Sequence, residues 1–286
     1  MPEIKNKKTG QYSELPLRIA SAIVLAAFAI FCTWMGGDTF RLLAMFLSIL
    51  IFVEFRGMIR SHLPFPIGVF AGLLLLILFG SYFVGRPFSG LAIIAAGAVL
   101  LALWEVVVRR SIWGAVLLLY SAIPFAALVD MREGEAGFFI ILFVFACVWG
   151  ADTFAYFSGK TFGGPKLAPA ISPNKTWSGF FGGFAGAIIV STLVDVWFGF
   201  PIGIFAILLA VALAFFSQIG DLFESWVKRR FGLKDSGKLI PGHGGILDRI
   251  DGLIFAIAGA WVISLLFAPQ AFEAKTLPKA LIQAIF

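Results

Sequence analysis

Nine apolar runs follow one another along the chain, near residues 17–35, 39–56, 64–84, 88–108, 111–129, 137–157, 178–200, 201–220 and 252–269. Each is long enough to cross a hydrocarbon layer of roughly 30 Å. Inside such a layer the peptide N–H and C=O groups have no water partner, so each run must close its own hydrogen bonds as a helix. A water-soluble fold fails on composition: 60% of the 286 residues are hydrophobic, 13% are charged and the mean hydropathy is +0.98, more apolar surface than one soluble core hides. The chain is therefore read as all-α, a polytopic integral membrane protein of about nine transmembrane helices. The cuts between runs fall at charges or at Gly and Pro; that inside 178–220 rests on Gly199-Phe-Pro201, which breaks a stretch too long for one span.

Lysine and arginine set the orientation, because cytoplasmic loops carry their excess. Assigning loops to alternate sides puts 17 cations on one side and 5 on the other. The rich side holds Lys5, Lys7, Lys8, Arg18, Arg56, Arg60, Arg109, Arg110, Lys160, Lys166, Lys175 and the six cations from Lys228 to Arg249. Fusing 178–220 into one span would put the two richest loops on opposite sides, so the asymmetry supports an odd number of spans. The N terminus is expected in the cytoplasm and the C terminus outside, in a bacterial-type inner or plasma membrane. The first run is read as an anchor, since eight more follow and no clear small-residue cleavage site ends it.

The net charge of +6 is dispersed along cytoplasmic edges, which points to anionic lipid headgroups as partners and away from nucleic acid. Cys32 and Cys147 lie within apolar runs without Cys or His at ligand spacing and are read as inert core thiols. The chain is one membrane domain, 1–286, of unequal halves. Residues 1–145 are expected to anchor and scaffold, with Glu54 and Glu105 interfacial near span ends. Residues 146–270 carry nearly every polar constellation and are expected to hold the catalytic helices and cytoplasmic loops.

Two polar constellations fall in that second half. In the first, Asp152 and Tyr156 are one helical turn apart, with Gly159 and Lys160 continuing toward the cytoplasm. A carboxylate in or at the edge of a span is expensive, so Asp152 needs a dedicated partner or a hydrated cavity. Ser172-Pro-Asn-Lys175-Thr176 then leads into the next apolar run. Hydroxyls, a lysine and the free N–H groups of a helix start form either an anion cradle or a basic helix cap. No Walker-type phosphate loop is present.

In the second constellation, Asp221, Glu224 or Ser225, and Lys228 align on one stripe of a helix leaving the membrane. Lys234 to Gly245 is too rich in Gly and Pro for helix and is expected to be an ordered loop whose backbone approaches a ligand closely. Asp248 and Asp251 then start the last span on one face. Asp221, Asp248 and Asp251 should converge at the cytoplasmic ends of the C-terminal helices. Hard oxygen donors suit Mg2+, which completes its shell with water and phosphates, and two histidines without a thiolate cluster argue against zinc. His243, between glycines, is open to acid–base chemistry, a phosphate contact or loop ordering, and the last two are favoured.

From Ser225 to Asp251 these residues fit S-x-x-K-R-x4-K-D-x-G-x3-P-x-H-G-G-x-x-D-R-x-D at every position, and the segment resembles the phosphatidate cytidylyltransferases, the CDP-diglyceride synthetases. The Asp152-x3-Tyr156-x2-Gly159-Lys160 and Ser172–Thr176 blocks are similar to that family too, so the resemblance covers residues 149–251 strongly. The chain departs at Ser178, where many relatives carry Glu or Gln. The resemblance implies transfer of the cytidylyl group of CTP to phosphatidic acid, giving CDP-diacylglycerol and pyrophosphate for phospholipid synthesis. It implies Asp221 and Asp248 as principal metal ligands, with Asp251 and Asp152 as further ligands or orienters. Lys175, Lys228, Arg229, Lys234 and Arg249 become phosphate clamps; Ser172, Thr176, Ser225 and Asp235 join the phosphate site, and His243 the catalytic loop. Mg2+, a monovalent cation such as K+, and a homodimer are likewise implied.

Two other classes fit less well. A CDP-alcohol phosphatidyltransferase would carry D-G-x2-A-R-x8-G-x3-D-x3-D, but here Asp251-Gly252 leads straight into an apolar span. A secondary transporter or lipid carrier would place polar or broken helices near the midplane in related halves. Here the charge gathers at one face and the first half is nearly bare.

Overall fold

The computed structural model describes residues 15–134, 136–237, 244–267 and 281–283, with side chains from residue 23 onward. Among these, nine long helices occupy the places of the nine apolar runs: α1 (Leu15–Met35), α2 (Gly37–Met58), α3 (Phe65–Phe83), α4 (Pro87–Arg109), α5 (Trp113–Arg132), α6 (Gly137–Phe162), α7 (Trp177–Trp197), α8 (Ile204–Arg230) and α9 (Leu247–Phe267). Seven of them, α3 to α9, are long and apolar enough to cross a membrane; α2 carries Asp38, Arg41, Glu54 and Arg56. The chain is an all-α polytopic membrane protein. Its only strands among the described residues, β1 (Lys166–Ala168) and β2 (Ser172–Thr176), pair antiparallel between α6 and α7.

The break between α7 and α8 falls where Gly199 and Pro201 predict it. Gly199 takes φ 78°, and its N–H and that of Phe200 return to Val196 and Asp195 at 3.1 and 2.9 Å. This pairing closes the last carbonyls of a helix and requires a left-handed residue, which glycine adopts without strain. Gly232, at φ 69°, ends α8 in the same way and turns the chain into the polar loop.

α5 is the buried centre: from Tyr120 to Met131 every residue except Ile123 is buried. α6 and α7 meet backbone to backbone, since a Cβ at Gly186 would stand 2.4 Å from the Gly150 carbonyl oxygen. Small residues at such a crossing let dispersion contacts form where no hydrophobic drive exists between helices. Cys32 and Cys147 are buried, free thiols. Toward the other end of α9 from the polar loop, Asp130 of α5 accepts from Tyr82 Oη of α3 at 3.1 Å and Trp261 Nε1 of α9 at 2.9 Å, tying three helices.

One expectation is corrected. Glu54 and Glu105 are buried, not interfacial, at 4% and 0% exposure. Each accepts backbone N–H groups at the start of another helix: Glu105 takes Gly114 at 2.8 Å and Ala115 at 3.3 Å of α5, and Glu54 takes Ile246 and Leu247 at α9. A carboxylate that accepts from a helix N-terminus is tolerated inside the bundle because orphan donors and the helix dipole both compensate it, although Glu105 Oε1 has no hydrogen-bond partner among the described residues.

Candidate active site

The C-terminal ends of α6 and α8, the N-terminal end of α9 and the β1–β2 hairpin bring the acidic and basic residues of both constellations together in two adjoining groups. In the first, Lys175 of β2 reaches Asp221 of α8, with Nζ 2.7 Å from Oδ2. Asp152 of α6 and Asp251 of α9 lie within electrostatic reach of both. Asp251 Oδ1 accepts from the Gly252 N–H at 2.9 Å. Ser225, one turn beyond Asp221, donates to its Oδ1 over a long 3.4 Å.

The second group centres on Lys228. Its ammonium lies 2.5 Å from Glu224 Oε2 and 2.7 Å from Asp248 Oδ1. Glu224 is wholly buried, and its Oε1 has no hydrogen-bond partner among the described residues. Asp248 also gathers the loop: it accepts from the Ser236 N–H at 3.1 Å, from Ser236 Oγ at 2.9 Å and from the Gly245 N–H at 2.8 Å. The expected stripe of Asp221, Glu224 or Ser225, and Lys228 runs along α8, with Asp248 facing Lys228 and Asp221 facing Lys175.

Other expected residues hold the frame. Thr176 is the N-cap of α7, its Oγ1 accepting from the Gly179 N–H at 3.1 Å. Ser178 donates to the Gly163 carbonyl and lies 3.0 Å from Thr176 Oγ1, so the hydroxyl that departs from the family pattern closes the base of the hairpin onto the end of α6. Arg229 donates to the Ile171 and Leu233 carbonyls, strapping the hairpin tip to α8. Ser172 pairs with Ala168 in the hairpin. Lys234, Asp235 and Arg249 are exposed at the loop and the first turn of α9. Tyr156 points outward beneath Lys160. His243 lies outside the described residues.

Sequence reasoning missed Glu54 and Ser236. A carboxylate inside an apolar run of the sparsely charged first half was the signal for Glu54, since an ionisable residue inside a span needs a partner. Ser236 gave none, because its part depends on which chains fold against it.

The donor set consists of hard carboxylate oxygens, and a lysine ammonium rests on each group at ion-pair distance. Carboxylate oxygens are the kind of donor Mg2+ takes, whereas an ammonium on them competes with the ion. As the side chains stand, no three His, Cys, Asp or Glu among the described residues form a group that holds an ion. The residues fit the cation in donor type only, and Lys175 and Lys228 stand on the carboxylates that would hold it.

A helical membrane bundle with carboxylates and lysines gathered at one end is suited to anionic, phosphate-bearing substrates. The sequence places it more closely: the model of the cytidylyltransferase family matches residues 16–267, and the chain belongs to that family. A phosphatidate cytidylyltransferase of Brucella abortus biovar 1 is 40% identical over 269 residues, which cover 90% of this chain and 95% of that protein. One from Staphylococcus haemolyticus is 36% identical over 252 residues, covering 85% of this chain and 96% of its own length. A third, from Rickettsia bellii, is 42% identical over 144 residues, 48% of this chain and 62% of the relative.

Proposed function

We infer that this chain transfers the cytidylyl group of CTP to phosphatidic acid, giving CDP-diacylglycerol and pyrophosphate. The observation that carries this reading is the meeting of Lys175 with Asp221 and of Lys228 with Asp248 across α8, α9 and the hairpin, inside a bundle of apolar helices. Both substrates are anions and one is a lipid, so the task is to neutralise charge and align a lipid phosphate with the α-phosphorus of a soluble nucleotide at a membrane edge.

In this reading Asp221 and Asp248 are the principal ligands of Mg2+, with Asp152 and Asp251 beside them, and a monovalent cation such as K+ shares the site. When bound, the divalent ion neutralises the triphosphate and the charge that develops on the departing pyrophosphate. Lys175 and Lys228 exchange their carboxylate partners for substrate phosphate oxygens, which charge-assisted N–H donors hold well. Arg229, Lys234 and Arg249 extend the positive rim. Ser172, Thr176, Ser225 and Asp235 complete the phosphate surface, and His243 orders the loop or contacts phosphate. The protein works as a homodimer.

Purified protein in mixed micelles with phosphatidic acid, labelled CTP, Mg2+ and K+ should release pyrophosphate and move label into the organic phase, and EDTA should stop both. Folded protein that leaves all label in water sinks the reading.

The reading also sets all nine helices across the membrane, N terminus inside, with the site at the cytoplasmic face. Lys234 is exposed, so a Lys234→Cys variant should react with a maleimide only after the cytoplasm is opened. Labelling from outside intact cells reverses the orientation.

A further inference from the structure

Glu54 lies in α2, in the half of the chain that carries few other charges, yet it reaches the polar loop near the other end of the sequence. Its Oε1 accepts from the Ile246 N–H at 3.0 Å, and its Oε2 accepts from the Leu247 N–H at 2.8 Å and lies 3.3 Å from Ser236 Oγ. It thus holds the first N–H groups of α9 from outside the helix, where a negative charge is favoured by the dipole. It also touches both sides of the loop at once. Ser236 is the shared element: the residue whose Oγ contacts Glu54 also gives its N–H and hydroxyl to Asp248.

Two glycines of the loop make room for this carboxylate. A Cβ at Gly237 would lie 2.6 Å from Glu54 Oε1, and one at Gly245 would lie 2.6 Å from Glu54 Oε2 and closer still to Ser236 Oγ. Neither glycine has the positive φ that would otherwise explain it. A contact below 3.0 Å forces a neighbour to shift: at Gly237 that neighbour is the Glu54 carboxylate alone, whereas at Gly245 Ser236 Oγ stands nearer than Glu54.

We propose that Glu54 is a positioning residue for nucleotidyl transfer: it pins Ser236 and the start of α9 so that Asp248 presents its carboxylate to the substrate site. The inference rests on Asp248 belonging to that site. Asp248 itself sits on the first turn of α9, so a rotation of that turn moves the carboxylate away from Lys228. α2 therefore contributes to the chemistry through the loop, without touching substrate.

In Glu54→Gln the amide keeps one acceptor oxygen but sets an N–H against the Leu247 N–H. The expected result is a kcat about 10-fold lower with KM for CTP within about 2-fold of wild type. Amide hydrogen exchange should rise in the peptide containing Ile246 and Leu247 while the α5 core keeps its protection, because only the local restraint is lost. Gly237→Ala pushes the carboxylate from the other side and should produce the same pair of changes. In a Glu54→Ala background Gly237→Ala should add almost nothing, since the atom it collides with is gone.

Wild-type kcat and wild-type exchange in Glu54→Gln overturn the proposal, as does a uniform rise in exchange with a lower melting temperature, which marks a purely structural residue. If Glu54→Gln does not fold, Gly237→Ala decides alone: full kcat with unchanged exchange at Ile246 and Leu247 overturns it. Asp248→Asn separates the two levels of argument. A dead Asp248→Asn beside a normal Glu54→Gln refutes only the role of Glu54, whereas an active Asp248→Asn refutes the site itself.

Discussion

Asp221→Asn and Asp248→Asn should each lower turnover by at least about 100-fold, equivalent to about 2.7 kcal/mol of transition-state stabilisation. Asparagine keeps the size and one acceptor oxygen but removes the charge. The two residues come from different helices and face different lysines, so as purely structural ion pairs they would act independently. If both hold one cation cluster or the phosphates it bridges, the double variant is barely worse than either single one. Stability separates the cases further. Asp221 is 38% exposed in its pair with Lys175, and a pair so open to solvent adds little to folding. Asp248 is 15% exposed and holds Ser236 and Gly245, so its variant melts lower and must be compared as turnover per folded molecule. Near-normal turnover of both single variants across a wide Mg2+ titration refutes the ligand assignment. Additive losses that follow the melting temperature point to ion pairs alone.

What the sequence makes legible is what depends on short spacings. A run of about 20 apolar residues has one solution in a bilayer, so all nine helices form where the runs lie, and the Gly199–Pro201 break is a local signal that works locally. The stripe on α8 follows from helical period. What is hidden depends on tertiary approach. The ion pair of Lys175 with Asp221 joins residues far apart in the chain, and no spacing rule selects Asp221 over Asp152 or Asp251 for it. The β1–β2 hairpin has no apolar alternation and contains Pro173, so nothing in its pattern announces strands. Glu54 was misplaced for the same reason. Its position near the end of α2 reads as interfacial until the α9 N-terminus is seen folded against it. Arg229, expected on phosphate, also gives two of its N–H donors to the Ile171 and Leu233 carbonyls, a use that appears only once the hairpin is known to lie over α8.

Lys228→Met should be both inactive and unstable, and the two losses should be separable. Lys228 is the ion-pair partner of Glu224, which is wholly buried, and it holds Asp248 as well. Removing the ammonium strands the Glu224 carboxylate, whose Oε1 already has no hydrogen-bond partner among the described residues. An uncompensated buried charge of this kind destabilises by about 3–5 kcal/mol, while replacing both partners by apolar residues is often neutral or better. Lys228→Met/Glu224→Leu should therefore recover most of the melting temperature lost in Lys228→Met. Asp248 keeps its Ser236 and Gly245 donors in that double variant, so the loop stays anchored. Turnover should not recover, remaining at least about 100-fold down, if the Lys228 ammonium moves onto substrate phosphate. Recovery of turnover together with stability would assign Lys228 to the neutralisation of Glu224 alone and leave the phosphate to Lys175, Lys234 and Arg249.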